Sequence, residues 1–123
     1  MAAGVSDTES SVVSSTDNED GTNTIVIDVK DEFGNIITGE DMDSIKFKFD
    51  TDLGESITGT DYNTLTAIND DAYFSVVFTD NDDGTYTIVI THADYTGTVD
   101  VQVDGVEIET EVDFVITNVI SSF

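Results

Sequence analysis

Two clusters of carboxylates stand out as groups that could do chemistry. Asp80, Asp82 and Asp83 sit within the stretch TDNDDGT, and Asp17, Glu19 and Asp20 sit within TDNEDGT. Hard cations take several carboxylate and carbonyl oxygens, so calcium is the ligand these turns would suit. The spacing also fits an ordinary acidic hairpin turn. An EF-hand loop has acids at its first, third and fifth positions, Gly at the sixth and a later Glu. Here Gly84 is fifth from Asp80, and no Glu follows at that spacing. Asp41/Asp43 and Asp70/Asp71 are sparser versions of the same pattern. Nucleophilic catalysis needs a base beside the nucleophile, usually His. The one His, His92, lies in the turn sequence THADYTG, which reads as a capping or exposed position. Carboxylate pairs of the glycosidase kind carry no information among 27 acids, and no Trp is present as a sugar platform. The residues therefore point to a protein without catalysis.

Both clusters belong to a repeat. Residues 11–27, SVVSSTDNEDGTNTIVI, match residues 75–90, SVVFTDNDDGTYTIVI, with one gap beside the paired valines. Ser replaces Phe next to the gap, Glu19 stands for Asp82 and Asn23 for Tyr86. Asp-Gly between two alternating runs signals a hairpin, because Gly accepts the positive φ that closes the turn. Two equivalent hairpins are expected, with Ile25 and Ile27 matching Ile88 and Ile90.

Elsewhere Ser44–Asp50 alternates, with Ile45, Phe47 and Phe49 on one face and Lys46 and Lys48 on the other. The two lysines mark a solvated or protected edge, or a docking point for an acidic neighbour. Thr51–Asp71 reads as a long loop with a short strand near Thr64–Ile68. Ala72–Thr79 and Val112–Ile120 are apolar on both faces, which suits central or covered strands. A two-residue Asp104-Gly105 turn would pair Val103 with Val106, Val101 with Ile108, and Asp100 with Glu109. Short strands with turn signals every eight to twelve residues, and no sustained helical period, predict an all-β sandwich.

Composition narrows the partners. The formal net charge is −24, with three lysines and no arginine. That opposes phosphate and nucleic-acid binding and adsorption to anionic membranes. It favours high-salt solubility, divalent cations or a basic protein surface. Absence of cysteine removes disulfides and thiolate sites. MAAGVSDTES lacks the basic and apolar regions of a signal peptide, and no run is long enough to span a membrane as a helix. The chain divides into an arm, 1–9, and one domain, 10–123. The arm has little apolar surface to offset its ordering entropy. Both ends are therefore expected to lie against another chain.

Val29–Gly39, VKDEFGNIITG, resembles the early segment of bacterial Ig-like domains of the invasin/intimin type, with Ile36 where that family carries Pro. Thr79–Gly105, TDNDDGTYTIVITHADYTGTVDVQVDG, is similar to the end of filamin-type repeats. The resemblance implies an Ig-like antiparallel β-sandwich of the kind used for adhesion, spacing or decoration, phage capsids and tails included. The expected function is a non-enzymatic structural module on the exterior of a larger assembly, a virion decoration, capsid-associated or tail protein at the virion surface. The alternative is a secreted cell-surface or pilus-like adhesin domain, calcium-dependent in one version. A third setting is an ordinary sandwich protein of a halophile. The expected partners are proteins, in a homo- or hetero-oligomeric assembly.

Overall fold

A computed structural model describes residues 4–50, 61–71 and 74–117. Strands β1 (Ser11–Asp17), β2 (Thr22–Asp28), β3 (Ile45–Phe49), β4 (Asn63–Thr64), β5 (Ser75–Asp80), β6 (Thr85–Thr91), β7 (Tyr95–Val103) and β8 (Val106–Ile116) are joined by one helix, α1 (Leu65–Asp70). They form two four-stranded antiparallel sheets, ordered β1-β2-β6-β5 and β4-β3-β7-β8. The inward faces close on each other. Ile25, Ile27, Tyr86, Ile88 and Ile90 of the first sheet meet Ile45, Phe47, Phe49, Val99, Val101, Val103, Phe114 and Ile116 of the second. Burying one such aliphatic side chain contributes about 1.5–3 kcal/mol, so this two-layer contact is the main source of stability.

The repeat is an internal symmetry of the first sheet. β2 and β6 are its central pair, and Ile25 faces Ile88, its own counterpart in the repeat. A local two-fold axis therefore passes between those two residues and exchanges the hairpins. The exchange reaches past the matched sequence: Val29 N–H donates to the Gly84 carbonyl at 2.8 Å and His92 N–H to the Gly21 carbonyl at 3.1 Å. The extra residue of the first copy is a β-bulge. Val12 pairs with Ile27 and Ser14 with Val26, leaving Val13 unpaired and exposed.

Several expectations change. The strand expected at Thr64–Ile68 is only Asn63–Thr64, followed by α1. Thr64 accepts the Ala67 N–H at 3.1 Å as an N-cap, and Leu65 and Ile68, three apart, both point into the core. The pattern was helical over too short a span to show. The rest of the expected loop, 51–60, lies outside the described residues. β5 is an edge strand rather than a central one, with Val77 exposed because its neighbours alternate in and out. The helix protects that edge: Asn69 Oδ1 accepts the Val76 N–H at 2.9 Å. β8 ends at Ile116, and 118–120 lie outside the described residues.

The β7–β8 register is also different. Val103 faces Val106 and Gln102 faces Glu107 as expected, but Val101 faces Glu109 and Val99 faces Val112. β8 holds two residues more than β7 across this stretch. An even number leaves Ile108, Val112, Phe114 and Ile116 on one face, where a single extra residue would have turned them outward. Glu111 absorbs the irregularity with φ +53. Asp100 therefore does not oppose Glu109.

Residues 4–10 pack on their own domain. Val5 bridges Asp31, Ser6 N–H donates to the Lys30 carbonyl at 2.8 Å, and the buried Ser10 hydroxyl bonds Lys30 N–H and carbonyl at 2.9 and 3.1 Å. These bonds tie residues 4–10 to the segment that follows β2.

Candidate functional site

The two acidic turns share the same internal hydrogen bonds. Asp17 Oδ1 accepts Glu19 N–H at 3.0 Å, and Asp80 Oδ1 accepts Asp82 N–H at 2.9 Å. Asp20 Oδ1 accepts Thr22 N–H at 3.1 Å and Asp83 Oδ1 accepts Thr85 N–H at 3.0 Å, each with the threonine hydroxyl added. Asn18 and Asn81 donate to the threonine pairs Thr22/Thr24 and Thr85/Thr87. Glu19 and Asp82 take φ +59 and +62, a conformation Asp tolerates better than most residues. Their side chains stand in solvent.

The antiparallel pairing of β2 with β6 puts the turns at opposite ends of the sheet, roughly 20 Å apart for seven residues of strand. The six carboxylates named from sequence are thus two sets of three, and within each set two serve the turn itself. The Thr85 hydroxyl and N–H hold the Asp83 carboxyl below the usual range. The Thr117 hydroxyl, with Glu19 N–H behind it, does the same for Asp17. Among the described residues no group of three or more acids or histidines is disposed to hold a metal ion.

Each turn instead clamps a passing segment. In the first copy Asp17 accepts Thr117 N–H at 3.1 Å and its hydroxyl at 2.6 Å, Gly21 N–H donates to the Thr117 carbonyl at 3.1 Å, and buried Asn23 donates to the Val115 carbonyl at 2.9 Å. In the second copy Asp80 accepts Gly39 N–H at 3.2 Å, while the Tyr86 hydroxyl donates to the Ile37 carbonyl at 2.6 Å and accepts Glu40 N–H at 3.2 Å. The side-chain differences between the copies are in contact with one another. Phe78 stacks on Tyr86 at 5.8 Å, whereas Ser15 donates to Asn23 Oδ1 at 3.4 Å. Sequence reasoning missed these clamps because their partners lie up to a hundred positions away.

The remaining polar groups are distributed unevenly. The outward face of β1-β2-β6-β5 shows Thr16, Thr24, Val26, Val77, Thr87 and Val89, with Asp28 tied to Lys30 at 3.4 Å. The other outward face carries Lys46, Lys48, Asp100, Glu107, Glu111 and Asp113. There Lys48 pairs with Asp100 at 3.5 Å and lies 5.2 Å from the Tyr62 ring centre. Asp100 also accepts Glu111 N–H at 2.7 Å. A cavity of about 170 Å³ beside them is lined by Lys48, Asp50, Thr98, Asp100 and Glu111. Burial and the adjoining Glu107 carboxylate push the Tyr62 hydroxyl up. His92 is half-buried against Phe74, their ring centres 4.3 Å apart. At the far corner, burial and a hydrogen bond to Asp104 push Glu40 up to about 7. This is structural chemistry of turns and clamps.

No protein-family model matches the chain, and no curated protein matches it. Among solved structures it is similar to FdeC, a broadly conserved Escherichia coli adhesin that elicits protection against urinary tract infection, at 21% identity and a TM-score of 0.55. That likeness covers 94% of this chain and 33% of the adhesin chain, so the protein spans about a third of that relative. It is also similar to the Lin-41 filamin domain, at 15% identity and a TM-score of 0.53 over 94% of this chain and 99% of that one. Both likenesses, with the two facing four-stranded antiparallel sheets, give the fold: the chain is an Ig-like β-sandwich.

Proposed function

We propose that this chain is a non-enzymatic structural module, displayed on the outside of a larger assembly and set in series with other domains, as a spacing unit of a cell-surface adhesin. The observation that carries this is where Val5 and Thr117 lie. Val5 lies beyond the C-terminal end of β2, bridged to Asp31, and Thr117 lies against Gly21 before its N-terminal end. Val5 and Thr117 are therefore at opposite poles, roughly 30 Å apart along ten residues of extended chain. Such a module lengthens a stalk by its own long dimension. Likeness to a third of an adhesin chain supports the cell-surface setting over the virion exterior, which shares the geometry but has no comparison behind it. A strongly acidic surface keeps serial copies from collapsing on one another.

Two measurements test this. Immunogold labelling of intact source cells and of particles purified from them should place the protein outside, on the cell surface. Label on particles alone would move it to a virion, and label confined to the cytoplasm would overturn the proposal. Two copies fused end to end should scatter X-rays as a rod about twice as long as one. A compact dimer would contradict the serial arrangement.

A further inference from the structure

The chain contains three Asp-Gly dipeptides, at 20–21, 83–84 and 104–105. In Asp-Gly the glycine nitrogen has the least-shielded approach to the aspartate side chain, since glycine has no Cβ. The structure treats the three differently. At Asp20 and Asp83 the carboxylate is turned to the N–H and hydroxyl of the threonine two residues on. Gly21 N–H is itself donated to Thr117. Gly84 is buried with Ile36 against it. Asp104 and Gly105 are exposed at the tip of the β7–β8 turn, and the space around the Gly105 Cα is open. Among the described residues the Asp104 carboxylate meets no threonine. It meets the carboxyl of Glu40, brought there by the bond from Asp104 N–H to the Ser44 carbonyl at 2.8 Å.

We propose that Asp104 is a site of spontaneous isoaspartate formation, with Glu40 as its proton donor, and that the turns of Asp20 and Asp83 protect those residues from the same reaction. The Gly105 nitrogen attacks Cγ of Asp104 and a C–N bond forms. One carboxylate oxygen leaves as water, carrying the proton of Glu40 and the proton of the amide nitrogen. Glu40 is left ionised and regains its proton from solvent. Water then opens the five-membered succinimide. Cleavage at the side-chain carbonyl restores aspartate, and cleavage at the main-chain carbonyl leaves the backbone running through Cγ, one carbon longer. Lengthening this tight turn breaks the opposition of Val103 and Val106. Asp104 and Asp41 face Glu40 with the Ser44 hydroxyl, and the Tyr86 hydroxyl of β6 lies behind with Asp80. These surroundings keep a proton on Glu40 near neutrality, where an isolated carboxyl would have lost it.

The test is to age the intact protein at neutral pH and map isoaspartate by peptide mass spectrometry after labelling with an isoaspartyl methyltransferase. Accumulation at Asp104 should be about tenfold faster than at Asp20 or Asp83, a modest share of what a positioned proton donor can contribute. Glu40→Gln should slow Asp104 several-fold and leave the other two unchanged. The rate at Asp104 should fall as pH rises through about 7, where Glu40 ionises. In urea the three sites should react alike. A lead at Asp104 that persists in urea would assign the effect to local sequence and overturn the proposal. So would a Glu40→Gln protein, folded by circular dichroism, that ages at the native rate.

Discussion

Glu40→Gln is the substitution whose effect on stability depends most on pH. Glu40 titrates near 4.5 when unfolded and near 7 when folded, because of burial and then the Asp104 carboxylate. A raised folded value means the native state holds a proton that the unfolded chain releases. The stabilisation from the shared proton is therefore whole below about 4.5 and is lost as pH rises through about 7. Converted directly, that shift is about 3 kcal/mol. The side chain is part-exposed, so solvent screening reduces it to about 1–2 kcal/mol. Gln keeps a donor toward Asp104 and never ionises. Urea unfolding at constant ionic strength should show the variant equal to the native protein at pH near 5 and more stable by about 1–2 kcal/mol near 8. The same difference at both pH values, or a variant less stable at the higher one, would refute the shared proton.

Gly84→Ala should destabilise by about 2 kcal/mol or more, since L-residues pay about 1–2 kcal/mol at such a φ and the new Cβ would stand 2.6 Å from Ile36 Cβ; Gly105→Ala, with open space, should show the φ term alone in urea melts. Asp100→Asn should cost about 0.5–1 kcal/mol at low salt and less at high salt, because the carboxylate pairs with Lys48 and is not held against Glu109; stabilisation instead would restore the like-charge register. Sodium chloride should raise the melting temperature of this −24 chain by screening, and calcium at matched ionic strength should add nothing to that. A saturable extra gain, lost in Asp82→Asn, would return the turns to the calcium reading.

Much of the fold is legible because β patterning and Asp-Gly turns are local signals. Ile25/Ile27 and Ile88/Ile90 announce their faces, and Gly21, Gly84 and Gly105 announce their turns. The helix was hidden because Leu65 and Ile68 are one helical step in a six-residue element, too short for a period to repeat. The β8 bulges were hidden because their positive-φ residue is Glu111 rather than a glycine. For the acidic turns, sequence shows the carboxylates but not their occupation. Whether Asp17 is free for a cation depends on Thr117, a hundred residues on, and no spacing rule reaches that far. The clamp residues Asn23 and Tyr86 were visible only as a mismatch between the copies.

That mismatch has a physical reason that can be tested. Both residues occupy the same buried place two after the turn, and each must satisfy whatever backbone crosses it. β8 presents the Val115 carbonyl, which an amide donor meets, and the Asn23 oxygen takes the Ser15 hydroxyl. The 37–40 segment presents a carbonyl and an N–H together, which a phenol hydroxyl can satisfy by donating and accepting at once. Its ring then wants an apolar neighbour, and Phe78 supplies one. Ser15 and Asn23 should therefore be energetically coupled, and so should Phe78 and Tyr86. Asn23→Tyr alone keeps a hydroxyl donor for the Val115 carbonyl, as Tyr86 does for Ile37, but should strand the Ser15 hydroxyl beside a ring, at about 1–2 kcal/mol. Adding Ser15→Phe should recover about 1 kcal/mol through the restored stack. Urea unfolding of the two single variants and the double variant measures the coupling. Strict additivity would mean that the paired difference between the hairpins reflects their separate surroundings, and that the contact between positions 15 and 23 carries no energy of its own.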